Sequence, residues 1–213
     1  MRESPIIIAL DGISRKEALA IANTLKGLVW GFKINDLLFD DIEIIKKLKK
    51  FGRVFADAKL HDIPNTVANG VTRLSKAGAD IITVHASGGI EMMKAANKVA
   101  GPSKIMAVTV LTSRKGNMRN AVLKLAQEAQ SAHLNGIICS ARELKYLSHV
   151  KLLKIVPGIR PTWYTSRDDQ DRTGTPKEAI LAGADLLIIG RPITKAKDPM
   201  KAIKKIIAEI ENA

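Results

Sequence analysis

Residues 54–66 place three charged side chains in and just beyond an apolar run. Asp57 and Lys59 stand two residues apart within the run, and Asp62 follows it closely. Side chains at positions i and i+2 of a β-strand point to the same face. Burying such charges is costly unless they pair with each other and with further partners. The pattern therefore indicates a catalytic site, with a purely structural ion pair as the alternative.

Eight short β-rich runs recur along the chain and supply the elements that would position these charges. They lie at 6–10, 31–35, 54–60, 81–86, 104–110, 136–139, 153–158 and 186–190. Segments of helical periodicity lie between them, and residues typical of helix starts open several: Ser14 with Glu17, Pro64, Ser140 with Glu143, Thr175 with Pro176 and Glu178, and Pro199. Buried strands alternating with amphipathic helices predict an α/β protein, a (β/α)8 TIM barrel with one domain over residues 1–213.

In such a barrel the active site lies at the carboxyl ends of the strands. The polar residues expected there are Asp11, Lys33, Asp57, Lys59, His85, Ser113, Gly158, Arg160, Gly190 and Arg191. If Asp11, Lys33, Asp57 and Lys59 are neighbours, their charges alternate in sign around one rim. Lys33 could instead be a strand-end lysine whose amine reaches solvent.

Two segments near the carboxyl end of the chain indicate ligand binding. The polar stretch 156–175 is too long for a simple connection, and loops of this length in compact domains are usually functional lids or disordered. Residues 188–192, Ile-Ile-Gly-Arg-Pro, end the eighth predicted strand, where barrels often bind phosphate. The guanidinium of Arg191 could donate two parallel hydrogen bonds to such a group.

Composition narrows the class of protein. The 213 residues include one cysteine, Cys139, so no internal disulfide can form, and the four histidines lack ligand-like spacing, so we expect no metal site. The apolar stretch near the start is too short for a signal peptide, and no run approaches membrane-spanning length. These features predict a soluble, cytoplasmic protein that needs no membrane.

The net charge of +13 raises nucleic acid as a possible partner. The densest basic run, 46–50, follows isoleucines at helical spacing, so it is typical of the solvated face of an amphipathic helix. Aromatic residues make up only 4% of the chain, which leaves few platforms for base stacking. We therefore expect no nucleic acid partner, and a positive field that speeds capture of a small anionic substrate.

The sequence Asp57-Ala-Lys59-Leu-His-Asp62-Ile63-Pro64-Asn-Thr66 resembles the signature of the orotidine 5′-phosphate decarboxylase family. The resemblance continues, in order, through Ala-Leu-Asp11, Gly-Phe-Lys33, Leu-Thr-Ser113, Pro157-Gly-Ile-Arg-Pro, Asp-Gln170-Asp-Arg-Thr-Gly-Thr-Pro and Ile-Gly190-Arg191-Pro-Ile-Thr. Sister enzymes acting on keto-sugar phosphates, generally with magnesium, share the shorter pattern Asp-x-Lys-x-x-Asp. Lys33, the segment 63–66 and Gln170 favour the nucleotide decarboxylase.

The resemblance implies an activity and an assembly. The family converts orotidine 5′-monophosphate to uridine 5′-monophosphate and CO2, the last step of pyrimidine nucleotide synthesis, without metal or organic cofactor. It works as a homodimer whose sites take residues from both chains. Lys59 would protonate the ring carbon that loses the carboxylate, and Asp57 and Asp62 would keep Lys59 charged and in place.

The resemblance also implies how the substrate is bound. Asp11 and Lys33 would hold the ribose hydroxyls, with Lys33 also bonded to Asp57. Asp62, Ile63 and Thr66 would serve the neighbouring subunit's site. The remaining implied contacts are Ser113 with the pyrimidine edge, Gln170, Gly190 and Arg191 with the phosphate, and Pro157 with the substrate.

Overall fold

A closed barrel of eight parallel strands forms the centre of the protein. The computed structural model describes residues 4–114, 116–165 and 173–211. The strands are β1 (Ile6–Ala9), β2 (Gly31–Ile34), β3 (Arg53–Leu60), β4 (Ile81–His85), β5 (Lys104–Val108), β6 (Gly136–Ile138), β7 (Leu153–Val156) and β8 (Leu186–Ile189). Each pairs with the next along the chain, and β8 pairs with β1. The predicted (β/α)8 barrel is confirmed, with most strands ending one or two residues earlier than predicted.

Helices connect successive strands over most of the circuit. They are α1 (Arg15–Leu25), α2 (Leu37–Asp40), α3 (Ile44–Leu48), α4 (Pro64–Lys76), α5 (Ile90–Lys98), α6 (Arg119–Ser131), α7 (Pro176–Leu181), α8 (Arg191–Thr194) and α9 (Pro199–Glu211), with 3₁₀ turns at Ala86–Gly88 and Ala141–Tyr146. None of the helices in these described ranges is long and apolar enough to span a membrane.

The predicted helix starts are confirmed with one difference. The Ser14 hydroxyl accepts a hydrogen bond from the Glu17 backbone, and the Glu17 carboxylate accepts one from the Ser14 backbone, so each side chain satisfies an otherwise unpaired amide. Thr175 and Glu178 make the same pair at the start of α7. The expected start at Ser140 opens a 3₁₀ turn rather than an α-helix.

Two apolar cores lie on either side of the barrel wall. Residues alternate along β1, so Ile6 and Ile8 pack outward against the helices while Ile7 and Ala9 face the interior. The interior cluster consists of Ile7, Ala9, Phe55, Ile81, Met106, Ile155 and Ile188. This cluster fills the barrel as a packed plug, and the polar residues farther along the strands lie above it.

The basic segments are solvated helix faces, as expected. In α3, Ile44, Ile45 and Leu48 are buried, whereas Lys46 and Lys47 are exposed. In α9, an inner face led by Ile203 and Ile206 is buried while the lysines point outward. These lysines add to the positive electrostatic potential of the surface. They form convex helix faces rather than a binding groove.

Candidate active site

Four charged side chains meet at the carboxyl ends of β1, β2 and β3. The Lys33 ammonium contacts the Asp11 carboxylate and lies 3.2 Å from Asp57 Oδ2. Lys59 Nζ donates to the same Asp57 oxygen at 2.6 Å. The sequence Asp11, Lys33, Asp57, Lys59 is therefore a chain of alternating charges, as predicted. Lys33 is 5% exposed, so the alternative in which its amine reaches solvent is wrong.

Mutual pairing keeps these buried groups charged. Burial acts to raise the pKa of Asp57, but the charges of Lys33 and Lys59, with hydrogen bonds from Lys59 and Thr83, hold that pKa below its ordinary value. Burial acts to lower the pKa of Lys33, but attraction to Asp57 and Asp11 outweighs it and raises the pKa. A buried pair, Lys33 and Asp57, therefore stays charged at the centre of the array, with the partly exposed Asp11 and Lys59 at its two ends.

The backbone of Lys59 has an uncommon conformation. Its φ is +46°, in the left-handed region that non-glycine residues enter at a cost of about 1–3 kcal/mol. The strand register shifts here, because Ala56 pairs with Ile82 whereas Leu60 pairs with Val84. Three residues of β3 thus stand opposite the single residue Thr83 of β4. Such bulges re-aim side chains and are frequent beside active sites.

Two residues that the sequence analysis did not single out hold this bulge. Thr83, fully buried, donates to Asp57 Oδ1 and accepts from the Lys59 backbone N–H, both at 2.9 Å. Asn35 Nδ2 donates to the Asp57 carbonyl at 2.7 Å. Thr83 could have been found as the one hydroxyl within the apolar run Ile-Ile-Thr-Val, and Asn35 as the polar residue that directly follows β2.

A cavity of about 490 Å³ opens above the charged cluster. Its wall on the side of β5 and β6 is apolar, formed by Val108, Val110, Leu111 and Ile138. Beyond that wall lie Pro157, Gly158 and Arg160 after β7, and Gly190, Arg191, Thr194 and Lys195 after β8. The cavity thus brings paired charges, an apolar surface and a group of cations together around one opening. Such a lining suits a ligand that combines a reactive polar group, a flat apolar part and an anionic group.

The structure places Pro157, Gly190 and Arg191 on the cavity wall, but several other predicted residues lie away from it. Asp62, Ile63 and Thr66 are exposed on the loop after β3 and the first turn of α4. Ser113 is also exposed, and Leu111 and Thr112 line the cavity at that position instead. Gln170 lies outside the described residues. The exposure of Asp62, Ile63 and Thr66 is compatible with the expectation that they serve a neighbouring subunit's site, whereas Ser113 lies away from the cavity that it was expected to line.

A pair of histidines borders the cluster. The rings of His61 and His85 lie 5.5 Å apart, with His85 half-buried at the end of β4. Burial, together with His61 and Lys59, lowers the pKa of His85 against the opposing effect of Asp57. Among the residues that the structure describes, no three His, Cys, Asp or Glu side chains converge in a way that could hold a metal ion.

Comparison with known proteins identifies the family of the chain. The orotidine 5′-phosphate decarboxylase / HUMPS family matches residues 4–206. Proteins named orotidine 5′-phosphate decarboxylase from Idiomarina loihiensis and Dichelobacter nodosus are each 42% identical to the chain. The aligned regions cover 96% of this chain and 97% of the first relative, and 99% of this chain and 100% of the second.

Solved structures agree with the sequence relatives. Orotidine 5′-phosphate decarboxylase from Lactobacillus acidophilus superposes with a TM-score of 0.82 at 36% identity, covering 99% of this chain and 100% of that one. The enzyme from Pyrococcus horikoshii gives a TM-score of 0.83 at 27% identity, covering 98% and 100%. The motifs at Asp57–Thr66 and around Lys33 and Arg191 lie within the matched region. The barrel, the charged cluster and these matches together show that the chain belongs to the orotidine 5′-phosphate decarboxylase / HUMPS family.

Proposed function

We propose that this protein is a carbon–carbon lyase that converts orotidine 5′-monophosphate to uridine 5′-monophosphate and CO2. The observation that carries the proposal is the Lys59 ammonium, held against buried Asp57 beside a cavity that ends in cations. Relatives about 42% identical over nearly the whole chain are named for this reaction. The cavity lining suits this substrate, whose carboxylated ring would lie toward the charged cluster and whose phosphate would lie toward Arg191.

Lys59 carries the chemical step in this proposal. Departure of CO2 leaves an electron pair on a ring carbon that no adjoining group delocalises, so a fixed cation must stabilise it and then supply a proton. At an effective dielectric of about 20, opposite charges near 4 Å attract by roughly 4 kcal/mol, an appreciable part of the ~8–23 kcal/mol that enzymes commonly supply. The same ammonium then transfers its proton to that carbon, which completes the product.

Asp57 acts on both ends of that step. Its carboxylate keeps Lys59 charged and in place, and it lies near the position of the departing carboxylate. Repulsion between the two carboxylates falls as the substrate loses its charge. Asp11 and Lys33, whose own contact orients both groups, would bind the ribose hydroxyls.

The phosphate end supplies binding rather than chemistry. Arg191, at the start of α8, would donate to the phosphate, with the Gly190 backbone and Gln170 beside it. Pro157 would support the ring, and Ser113 would bond the pyrimidine edge once its loop moves inward. Closing the loop at 160–174 over the phosphate would exclude water and use binding energy to order the charged cluster.

The active assembly in this proposal is a homodimer. Asp62, Ile63 and Thr66 are exposed on the same rim as Lys59, and Ile63 leaves 66% of its surface in solvent. Ile63 and the adjoining Pro64 are both exposed on this rim, and a second subunit would cover them. Asp62 would then approach the neighbouring subunit's Lys59 as its second acidic partner.

The direct test follows the orotate chromophore. The purified protein should bleach orotidine 5′-monophosphate and yield uridine 5′-monophosphate and CO2, at the same rate with and without a chelator. A sister enzyme acting on a keto-sugar phosphate would instead ignore the nucleotide and lose activity with the chelator. Absence of nucleotide turnover in folded protein would overturn the proposal.

A further inference from the structure

One hydroxyl joins both members of the Asp57–Lys59 pair. Thr83 donates to Asp57 Oδ1, while Asp57 Oδ2 accepts from the Lys59 ammonium and lies 3.2 Å from the Lys33 ammonium. Thr83 also accepts from the backbone N–H of Lys59. The contacts form a closed ring that runs from the Lys59 backbone through Thr83 and the Asp57 carboxylate to the Lys59 ammonium.

The ring closes where the strand ladder is interrupted. At the register shift, the Lys59 N–H bonds to the Thr83 side chain instead of to the backbone of β4. Lys59 has its positive φ at this same point. A buried N–H without a partner would be strongly disfavoured, so the hydroxyl helps to maintain the conformation that aims the lysine side chain inward.

Thr83 lies inside the barrel rather than among the helices. It follows Ile81, a member of the interior plug, by two residues, so both side chains face the barrel axis. Its hydroxyl is fully buried, and both of its hydrogen bonds go to the charged pair. Packing alone would be satisfied by valine, which has nearly the same shape.

We propose that Thr83 is a positioning residue for decarboxylation, which fixes the carboxylate of Asp57 and the backbone of Lys59 so that the ammonium meets the reacting carbon. The proposal rests on the function proposed above. Thr83 is not among the residues that line the cavity, so it acts through its two partners. Hydrogen bonds hold both carboxylate oxygens of Asp57, so its carboxylate cannot rotate. The Lys59 side chain is thereby fixed both at its backbone and at its ammonium.

The experiment compares three variants with the wild type. Thr83→Val removes both hydrogen bonds with little change of shape, and Thr83→Ser keeps the hydroxyl. Thr109→Val is the matched control, because Thr109 is also buried and its hydroxyl donates to the Ile138 carbonyl at 2.9 Å, away from the charged pair. Thermal melting establishes that each variant is folded. If Thr83→Val does not fold, Thr83→Ala replaces it.

The expected result is a loss in kcat. Thr83→Val should lower kcat by roughly 10–100-fold, the scale expected for a slightly misplaced catalytic group, with KM changed by less than about threefold. Thr83→Ser should restore kcat to within about threefold of wild type, and Thr109→Val should match wild type. A kcat for folded Thr83→Val within twofold of wild type, or an equal loss in Thr109→Val, would overturn the proposal.

A second measurement requires no turnover. The hydrogen bond from Thr83 helps to lower the pKa of Asp57, so the carboxyl carbon of Asp57 should titrate at higher pH in Thr83→Val than in wild type when followed by ¹³C NMR. An unchanged titration would show that the hydroxyl does not hold the carboxylate. If wild type itself lacks decarboxylase activity, the proposed function fails, while this titration still decides whether Thr83 positions the pair.

Discussion

The two halves of the barrel rim differ in how their functional groups are held. On the side of β1–β4, the charged groups bond to one another and to Thr83 and Asn35, so each has a defined partner within the chain. On the side of β5–β8, the cavity wall is apolar up to the cations Arg160, Arg191 and Lys195. The segment that follows β7 includes residues outside the described part of the chain.

In the proposed function, this difference separates chemistry from binding. Charges that satisfy one another keep their geometry without substrate, which is the condition for electrostatic catalysis without reorganisation. The cations of the other half gain from a phosphate, because an anion there adds charge-assisted hydrogen bonds. The comparison predicts that substitutions in the first half mainly lower kcat, whereas substitutions in the second half mainly raise KM.

The largest effect is expected from Lys59→Ala. Removing both the stabilising cation and the proton donor should lower kcat by about 10⁴-fold or more, since general acid catalysis and charge stabilisation are both lost. The fold should persist, because Asp57 retains Lys33 as its partner. Steady-state kinetics and thermal melting check both parts, and an unaltered turnover number would show that the charged half does not do the chemistry.

Arg191→Ala tests the other half. Losing charge-assisted hydrogen bonds to the phosphate should reduce kcat/KM by roughly 10–100-fold, chiefly through KM. Arg142→Ala is the control, because Arg142 is exposed and outside the cavity, so it removes the same charge without the contact. If Arg191→Ala kept full efficiency, or if Arg142→Ala lost as much, the cations after β8 would not be the phosphate site.

The sequence predicted the two halves unequally. The strands and much of the charged cluster could be predicted because period-two alternation and strand order determine which residues share the rim, as Lys33 and Asp57 illustrate. The left-handed backbone conformation of Lys59 could not be predicted from the sequence, because a lysine does not indicate a positive φ. Ser113 follows β5 as predicted, but no periodic pattern fixes a loop side chain, and the structure leaves it outside the cavity.

Mixing two inactive variants tests whether the charged half is completed by a second subunit. In the proposed homodimer, Lys59→Ala and Asp62→Ala would each damage every site of their own dimers. A hybrid dimer carries one site with both defects and one with neither, so random exchange should restore about a quarter of the wild-type activity. Mass spectrometry establishes that the subunits have exchanged. If no activity is recovered after that exchange, each site uses its own Asp62.

The smallest effect concerns the titration of His85, which borders the charged cluster. Burial, His61 and Lys59 lower the pKa of His85 below its unfolded value of about 6.5, so the unfolded chain binds more protons between the two values. Stability should therefore decline as the pH falls from about 6.5 towards the folded pKa of His85.

His85→Asn should show a shallower fall in melting temperature over that window than wild type. His149→Asn, which changes an exposed histidine, should retain the wild-type slope. Equal slopes for His85→Asn and wild type would show that burial and the neighbouring charges do not lower the pKa of His85.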